Sequence, residues 1–278
     1  MIETIIASLG YAGGVIVDKI ILSRFRVPVL RFIPLLFVWL AVITAIFVPV
    51  WGKIKIDELL SLNYILIFAA MILVAVTWNV FYYRGIQKEE IHEFELIMML
   101  SPLTTIVFAE IFLPTERSWP VFIAGLIGSL TLIITRFRHH HFKISTTTWQ
   151  TILAMVLMSG ESILIKNLLV VMSPVTLYFV RTTIIAVIFL IIYRPKMFEM
   201  ARSAYALTIL SAIFGVTQMV LKFYGFASLG VVETTLVLVL GPFIVYFFST
   251  FYFKEKLYKR DIFAAAVVVG CILYVTFR

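Results

Sequence analysis

Residues 71–102, MILVAVTWNVFYYRGIQKEEIHEFELIMMLSP, and residues 211–242, SAIFGVTQMVLKFYGFASLGVVETTLVLVLGP, align without a gap at an offset of 140. Val76, Thr77, Val80, Gly85, Glu93, Leu96, Leu100 and Pro102 recur as Val216, Thr217, Val220, Gly225, Glu233, Leu236, Leu240 and Pro242. Both stretches are strongly apolar, and each ends in a proline inside a hydrophobic run. The chain therefore reads as two copies of one membrane unit. Duplicated hydrophobic halves with interrupted helices are a construction that places a polar site between the halves, near the middle of the bilayer.

Composition agrees with the lipid setting. Of 278 residues 62% are hydrophobic and 14% charged, and the mean hydropathy is +1.07, so polar surface is too scarce to cover a water-soluble globule. Apolar stretches near 2–22, 33–51, 62–82, 92–113, 120–135, 148–170, 175–193, 205–226, 232–253 and 261–277 each approach the roughly 20 residues needed to cross hydrocarbon. They predict an all-α integral membrane protein with ten transmembrane helices in a 5+5 repeat. The runs are too long and too uniform for barrel strands, which alternate with period two. The first reads as a membrane helix rather than a leader peptide, because Glu3 stands where a basic region should be. Cys271 is the single cysteine, which excludes an intrachain disulfide and a cysteine-based metal site.

The net charge of +8 is a topology signal and not a nucleic-acid footprint, since Lys and Arg are scattered through short loops. They crowd one face, with Arg24, Arg26 and Arg31, then Arg84 and Lys88, Arg136, Arg138 and Lys143, Arg194, Lys196 and Arg202, and finally Lys254, Lys256, Lys259 and Arg260. The other face carries Lys53, Lys55, Arg117 and Arg278. The positive-inside rule then puts both termini outside the cytoplasm in a multi-pass cell-membrane protein.

An odd number of spans per half inverts the second copy. Residues 1–135 form the predicted first five-helix repeat, 136–147 a basic connecting loop and 148–278 the second repeat. At an offset of 147, Gly13 and Lys19 meet Gly160 and Lys166, while Pro28 meets Pro174 one residue out of step. The loop holds His139, His140 and His141, which fit a solvated linker better than a metal site. Pro102 and Pro242 deny a hydrogen bond to the carbonyls of Met98 and Leu238. Their repetition marks them as a hinge or gate beside a cavity, although a packing kink has the same local cause. Glu93 and Glu233 open the same helices, where a carboxylate either complements the helix dipole or joins that gate.

Ionisable side chains inside spans are costly unless they meet water or a partner, so each is a candidate for function. Glu161 lies near the bilayer centre among Ser159, Gly160 and Ser162; it suits proton coupling or an amino group, or else a packing role with a hydrogen-bonded neighbour. Lys166, Arg181, Lys222 and Glu233 fall toward one face and form a charged vestibule for an anionic or zwitterionic solute, with Arg181 suited to a bidentate carboxylate. Snorkelling toward the interface is the competing role for these cations. Asp18 and Lys19 read as interfacial. Trp78 and Asn79, facing Gln218 and Met219 by the repeat, supply the aromatic and amide groups expected around a small polar ligand.

These residues resemble the EamA family of the drug/metabolite transporter superfamily. The likeness is carried by Lys166, Pro174, Arg181 seven residues on, Pro242, and Glu255 thirteen residues after it. In the first half Lys19 and Pro28 match, but Leu35 replaces the arginine and the glutamate falls one residue late, at Glu116. Tyr11 and Met158 stand where the family commonly has tryptophan, which puts Tyr11 among the expected substrate contacts. The resemblance implies ten-helix inverted repeats that carry small organic metabolites, amino acids among them.

The leading expectation is a secondary transporter that moves such a solute by alternating access, driven by a proton or ion gradient, with lipids and the small-molecule substrate as its partners. No cofactor and no nucleic acid are expected. No phosphate-cradling GxxxxGK[ST] loop is present, and HExxH and GxSxG are absent, which disfavours ATP hydrolysis and a lipid-modifying enzyme. A flippase for a lipid-linked sugar or phosphate is the alternative.

Overall fold

The computed structural model describes residues 1–89, 91–98, 100–116, 145–195 and 200–242, with scattered positions in 119–131 and 244–274. Its regular structure, among the described residues, is helical. Helix α1 (Ile2–Lys19) runs on through a π-helical turn, Ile20–Arg24. Pro28, in extended conformation, caps α2 (Val29–Ala45). Single turns at Val48–Trp51 and Ile56–Leu59 lead to α3 (Leu62–Lys88). Helices α4 (Ile91–Met98) and α5 (Ser101–Phe112) follow. The second half begins with α6 (Thr146–Leu168), whose N-terminus is closed by a reciprocal Ser145–Thr148 capping box. Ser173 caps α7 (Pro174–Tyr193), with Pro174 in the first turn where its missing N–H costs nothing. Helix α8 (Arg202–Ser228) and α9 (Val231–Leu238) are joined at Gly230, whose φ of 93° suits glycine.

The expectation of ten transmembrane helices is corrected. Among the described residues five helices are long and apolar enough to cross a membrane: Ile2–Arg24, Leu62–Lys88, Thr146–Leu168, Pro174–Tyr193 and Arg202–Ser228. Val29–Ala45, Ser101–Phe112 and Val231–Pro242 are shorter apolar helices. A hydropathy run counts apolar residues whether or not the backbone is continuous. The run at 92–113 is in fact two helices, and that at 33–51 ends as a helix at Ala45. The stretches 120–135 and 261–277 and the loop 136–144 fall wholly or largely outside the described residues.

Pro102 accounts for one of these breaks. It sits in the first turn of α5, and α4 stops at Met98, the residue whose carbonyl the proline cannot bond. The second half repeats the event, as α9 ends at Leu238 and a turn at Val239 precedes Pro242. Pro102 thus falls at the start of a new helical piece, whereas in the second half a one-residue turn at Val239 interrupts the apolar helix that runs from Val231 to Pro242.

The most extensive packing pairs α1 with α8 and α3 with α6, followed by α2 with α7; α5 lies against α6 and α9. Helices α1 and α3 thus pack against α8 and α6 respectively. Glycines let the backbones approach, as small residues do where helices meet in lipid. A Cβ on Gly10 would lie 3.0 Å from the Gln218 nitrogen, and one on Gly85 would lie 2.5 Å from Thr151 Oγ1. Gly225, the repeat mate of Gly85, is closed off in the same way by Thr234 and Thr4. Gly10→Leu should force α1 and α8 apart and cost about 1–3 kcal/mol, read as a fall in thermal midpoint in detergent; an unchanged midpoint would contradict the close crossing.

Phe32, Phe94, Phe189, Phe223, Phe226 and Tyr178 fill the interior. Leu66, Leu73, Val170, Ile191 and Ile192 point outward, as lipid-facing positions should. The linker after α2 is tied to the α6–α7 turn by an isolated antiparallel bridge at Ile54 and Met172, where Lys55 N donates to Val171 O at 2.9 Å and Ser173 N to Lys53 O at 2.9 Å.

Candidate functional site

A cavity of about 130 Å³ opens where these helices converge, room for roughly ten water molecules. Helical spacing places its wall. Tyr11, Gly14, Val15 and Asp18 form one face of α1, and Ser211, Gly215, Gln218 and Lys222 form one face of α8. Helix α3 adds Trp78, Asn79, Tyr82 and Tyr83, α6 adds Met158 and Ser162, and α7 adds Tyr178 and Arg181. Both proline breaks abut the cavity, through Met98, Ser101 and Pro102 on one side and Thr235, Leu238 and Pro242 on the other.

Glu161 does not line this space. It is 1% exposed and stands behind the wall, where Arg181 donates from Nε to its Oε1 at 2.6 Å and from Nη2 to its Oε2 at 3.2 Å. Trp78 Nε1 donates to the same Oε2 at 2.7 Å. The Arg181 guanidinium also lies 5.9 Å from the centre of the Trp78 ring, within cation–π range. Glu161 is therefore the anchor that orients an arginine and an indole, and two of the five guanidinium N–H groups are used in doing so. Arg181 makes no other hydrogen bond among the described residues, so its Nη1 amino group is not engaged by them.

Lys222, on α8, lines the same cavity and lies within electrostatic reach of Glu161 and Arg181. Its ammonium sits 5.2 Å from the centre of the Phe226 ring and has neither an ion pair nor a hydrogen bond among the described residues. Because Glu161 is paired with Arg181, Lys222 adds a positive charge at this end of the cavity that no carboxylate among the described residues pairs with.

Among the residues singled out from sequence, Tyr11, Trp78, Asn79, Arg181, Gln218 and Lys222 meet at the cavity, with Pro102 and Pro242 at its edges. Tyr11 donates its hydroxyl to Glu95, at 3.2 Å and 3.1 Å from the two carboxylate oxygens. Lys166 lies elsewhere. Its ammonium donates to Phe226 O at 2.6 Å and pairs with Glu116 at 3.0 Å, while Glu116 accepts from Val231 N at 2.6 Å at the start of α9. This clasp joins the end of α8 to the start of α9, both of which leave unsatisfied backbone groups. Lys19 plays the same part in the first half, donating to Ile86 O at 2.8 Å and Glu89 O at 2.5 Å. Glu233 is exposed in the first turn of α9. The side chain of Glu93 lies outside the described residues, as do His139, His140, His141 and Glu255. Among the described residues no three His, Cys, Asp or Glu gather as metal ligands.

Sequence reasoning missed Asp18, taken for an interfacial residue. It is 5% exposed and lines the cavity, and Ser211 Oγ donates to its Oδ1 at 2.5 Å. The signal was its seven-residue spacing from Tyr11, two turns along one helix face. Tyr178 and Ser211 carried no such signal, since neither differs in sequence from an ordinary residue of a membrane helix.

Lys166→Met should lower thermal stability by about 1–3 kcal/mol, through the lost carbonyl bond and ion pair, and leave solute affinity unchanged. Thermal unfolding together with ligand binding checks this; lost affinity in a stable variant would return Lys166 to the binding site.

The helices thus enclose a largely apolar cavity whose wall carries Asp18, Arg181 and Lys222. The EamA-like transporter family model matches residues 1–137 and again 145–277. The chain belongs to that family, and so to the drug/metabolite transporter superfamily. It is a multi-pass membrane protein and a secondary transporter of a small molecule, not an enzyme. No curated protein matches the sequence. Among 27 similar solved chains, one described only as a crystal structure of a protein superposes with a TM-score of 0.70 at 15% identity, over 98% of this chain and 96% of its own. That likeness concerns the fold alone.

Proposed function

We propose that the transported solute is a small carboxylate-bearing metabolite of the amino-acid kind, bound in the cavity with its anionic group between Lys222 and Arg181 Nη1. The observation that carries this reading is the ammonium of Lys222, without an ion pair among the described residues, on the wall of a cavity where Arg181 is already fixed by Glu161. A cation held in an apolar wall without a counter-ion favours an anionic ligand that supplies one. Trp78, Tyr178 and Tyr11 line the space beside this anchor, and Asn79 and Gln218 offer amide donors and acceptors. This mix suits an organic body with a second polar group.

In this reading residues 1–135 and 148–278 are related halves that expose the cavity alternately to the two sides of the cell membrane. The breaks before Pro102 and Pro242 serve as hinges because they border the ligand. The double match to the family model supports the halves, and the basic loops support termini outside the cytoplasm.

A thermal-shift panel of amino acids, other carboxylates, sugars, nucleotide sugars and amines tests the solute class. Amino acids or related carboxylates should stabilise the wild-type protein, and Lys222→Met should weaken their binding about 10- to 100-fold, the worth of a charge-assisted contact. Stabilisation by neutral sugars or amines alone would contradict the reading.

A further inference from the structure

We propose that Asp18 is a proton-carrying site of this transporter, placed on the cavity wall apart from the cationic anchor. The proposal rests on the cavity being the transport route. Three buried carboxylates surround that route, and their surroundings differ. Glu161 is neutralised by Arg181. Glu95, 1% exposed, does not line the cavity and has the Tyr11 hydroxyl on both oxygens. Asp18 faces the cavity, receives a hydrogen bond on Oδ1 from Ser211, and has no partner for Oδ2 among the described residues.

A carboxyl so placed needs a cation or a proton. Among the described residues the groups that reach Asp18 supply no cation. Tyr82 and Tyr83 approach from α3 and Ser211 from α8. The adjacent Lys19 turns its ammonium to the Ile86 and Glu89 carbonyls. Lys222 is about 16 Å from Ser211 along the α8 axis, at about 1.5 Å per residue. One hydroxyl and one carboxylate are too few ligands for a metal cation, whereas a proton needs only the one oxygen left open. At the 147 offset the mate of Asp18 is Ile165, so the architecture shared by the halves does not call for an acid here. Its open oxygen faces the space the solute traverses, which allows proton loading from the side to which the cavity is exposed.

Infrared difference spectroscopy on a pH jump, with the purified protein in lipid, tests this without a known substrate. A protonated-carboxyl C=O band should appear in wild type, vanish in Asp18→Asn and move in Ser211→Ala, which keeps the acid and serves if the first variant does not fold. In proteoliposomes supplied with a mixture of radiolabelled amino acids, Asp18→Asn should retain exchange and lose accumulation driven by a pH gradient. Carboxyl spectra identical in wild type and Asp18→Asn would overturn the proposal. So would accumulation driven by sodium instead of protons. Wild-type liposomes that move no amino acid would reject the amino-acid reading alone, with the infrared result still deciding on Asp18.

Discussion

Glu161→Gln is expected to destabilise the protein by about 3–5 kcal/mol, because it leaves the Arg181 guanidinium buried without its counter-charge. Both side chains of the pair are 2% exposed, so water cannot take over from the lost carboxylate. Glutamine matches glutamate in shape and still accepts from Trp78 Nε1, which isolates charge as the cause. Uptake should fall with it, since Arg181 lines the cavity and is no longer held by its carboxylate partner. Trp78→Phe should cost less, about 1–3 kcal/mol, by removing one donor from a carboxylate that keeps its arginine. Chemical or thermal unfolding measures both. A Glu161→Gln variant as stable and as active as wild type would remove Glu161 from the site.

The second large effect separates stability from binding. Arg181→Gln alone strands the Glu161 charge and should be as damaging as Glu161→Gln. Combining the two leaves a neutral pair able to hydrogen-bond, so the double variant should recover most of the stability and reveal a strong coupling between the positions. Transport should not return. On the proposed binding mode the restored fold would still lack the Arg181 guanidinium, leaving Lys222 alone to hold the anionic group. A double variant that regains both stability and wild-type uptake would reduce the arginine to a packing element.

The sequence made the membrane setting legible for one physical reason: hydrophobic runs survive without knowledge of tertiary contacts. The shared Gly85 and Gly225 prove to be close-contact points in both halves, each meeting a threonine from the facing half. Helix continuity was less legible. Hydropathy does not register that a proline ends a helix four residues upstream, so the run at 92–113 read as one span. Charge identity was legible but charge partnership was not. Glu161, Arg181, Lys166 and Lys222 are all conspicuous in apolar helices, yet the first two pair with each other, the third clasps Glu116 and the fourth stays open. Which of these occurs depends on helix rotation and crossing, which one sequence does not report. Asp18 was hidden by its position near the predicted end of a span, because its burial depends on Ser211 of α8, 193 residues away in sequence.

Side-chain protection tests the central claim most directly, that the solute binds in the cavity bounded by Arg181, Lys222 and Trp78. Replacing Cys271 by serine removes the chain's only thiol, and Met219→Cys then reports from the cavity wall. A water-soluble thiol reagent should modify this cysteine in proteoliposomes, and a transported solute should slow the reaction at concentrations matching its half-saturation of uptake. A transported solute that saturates uptake while leaving the labelling rate unchanged would place the binding site elsewhere and contradict the account.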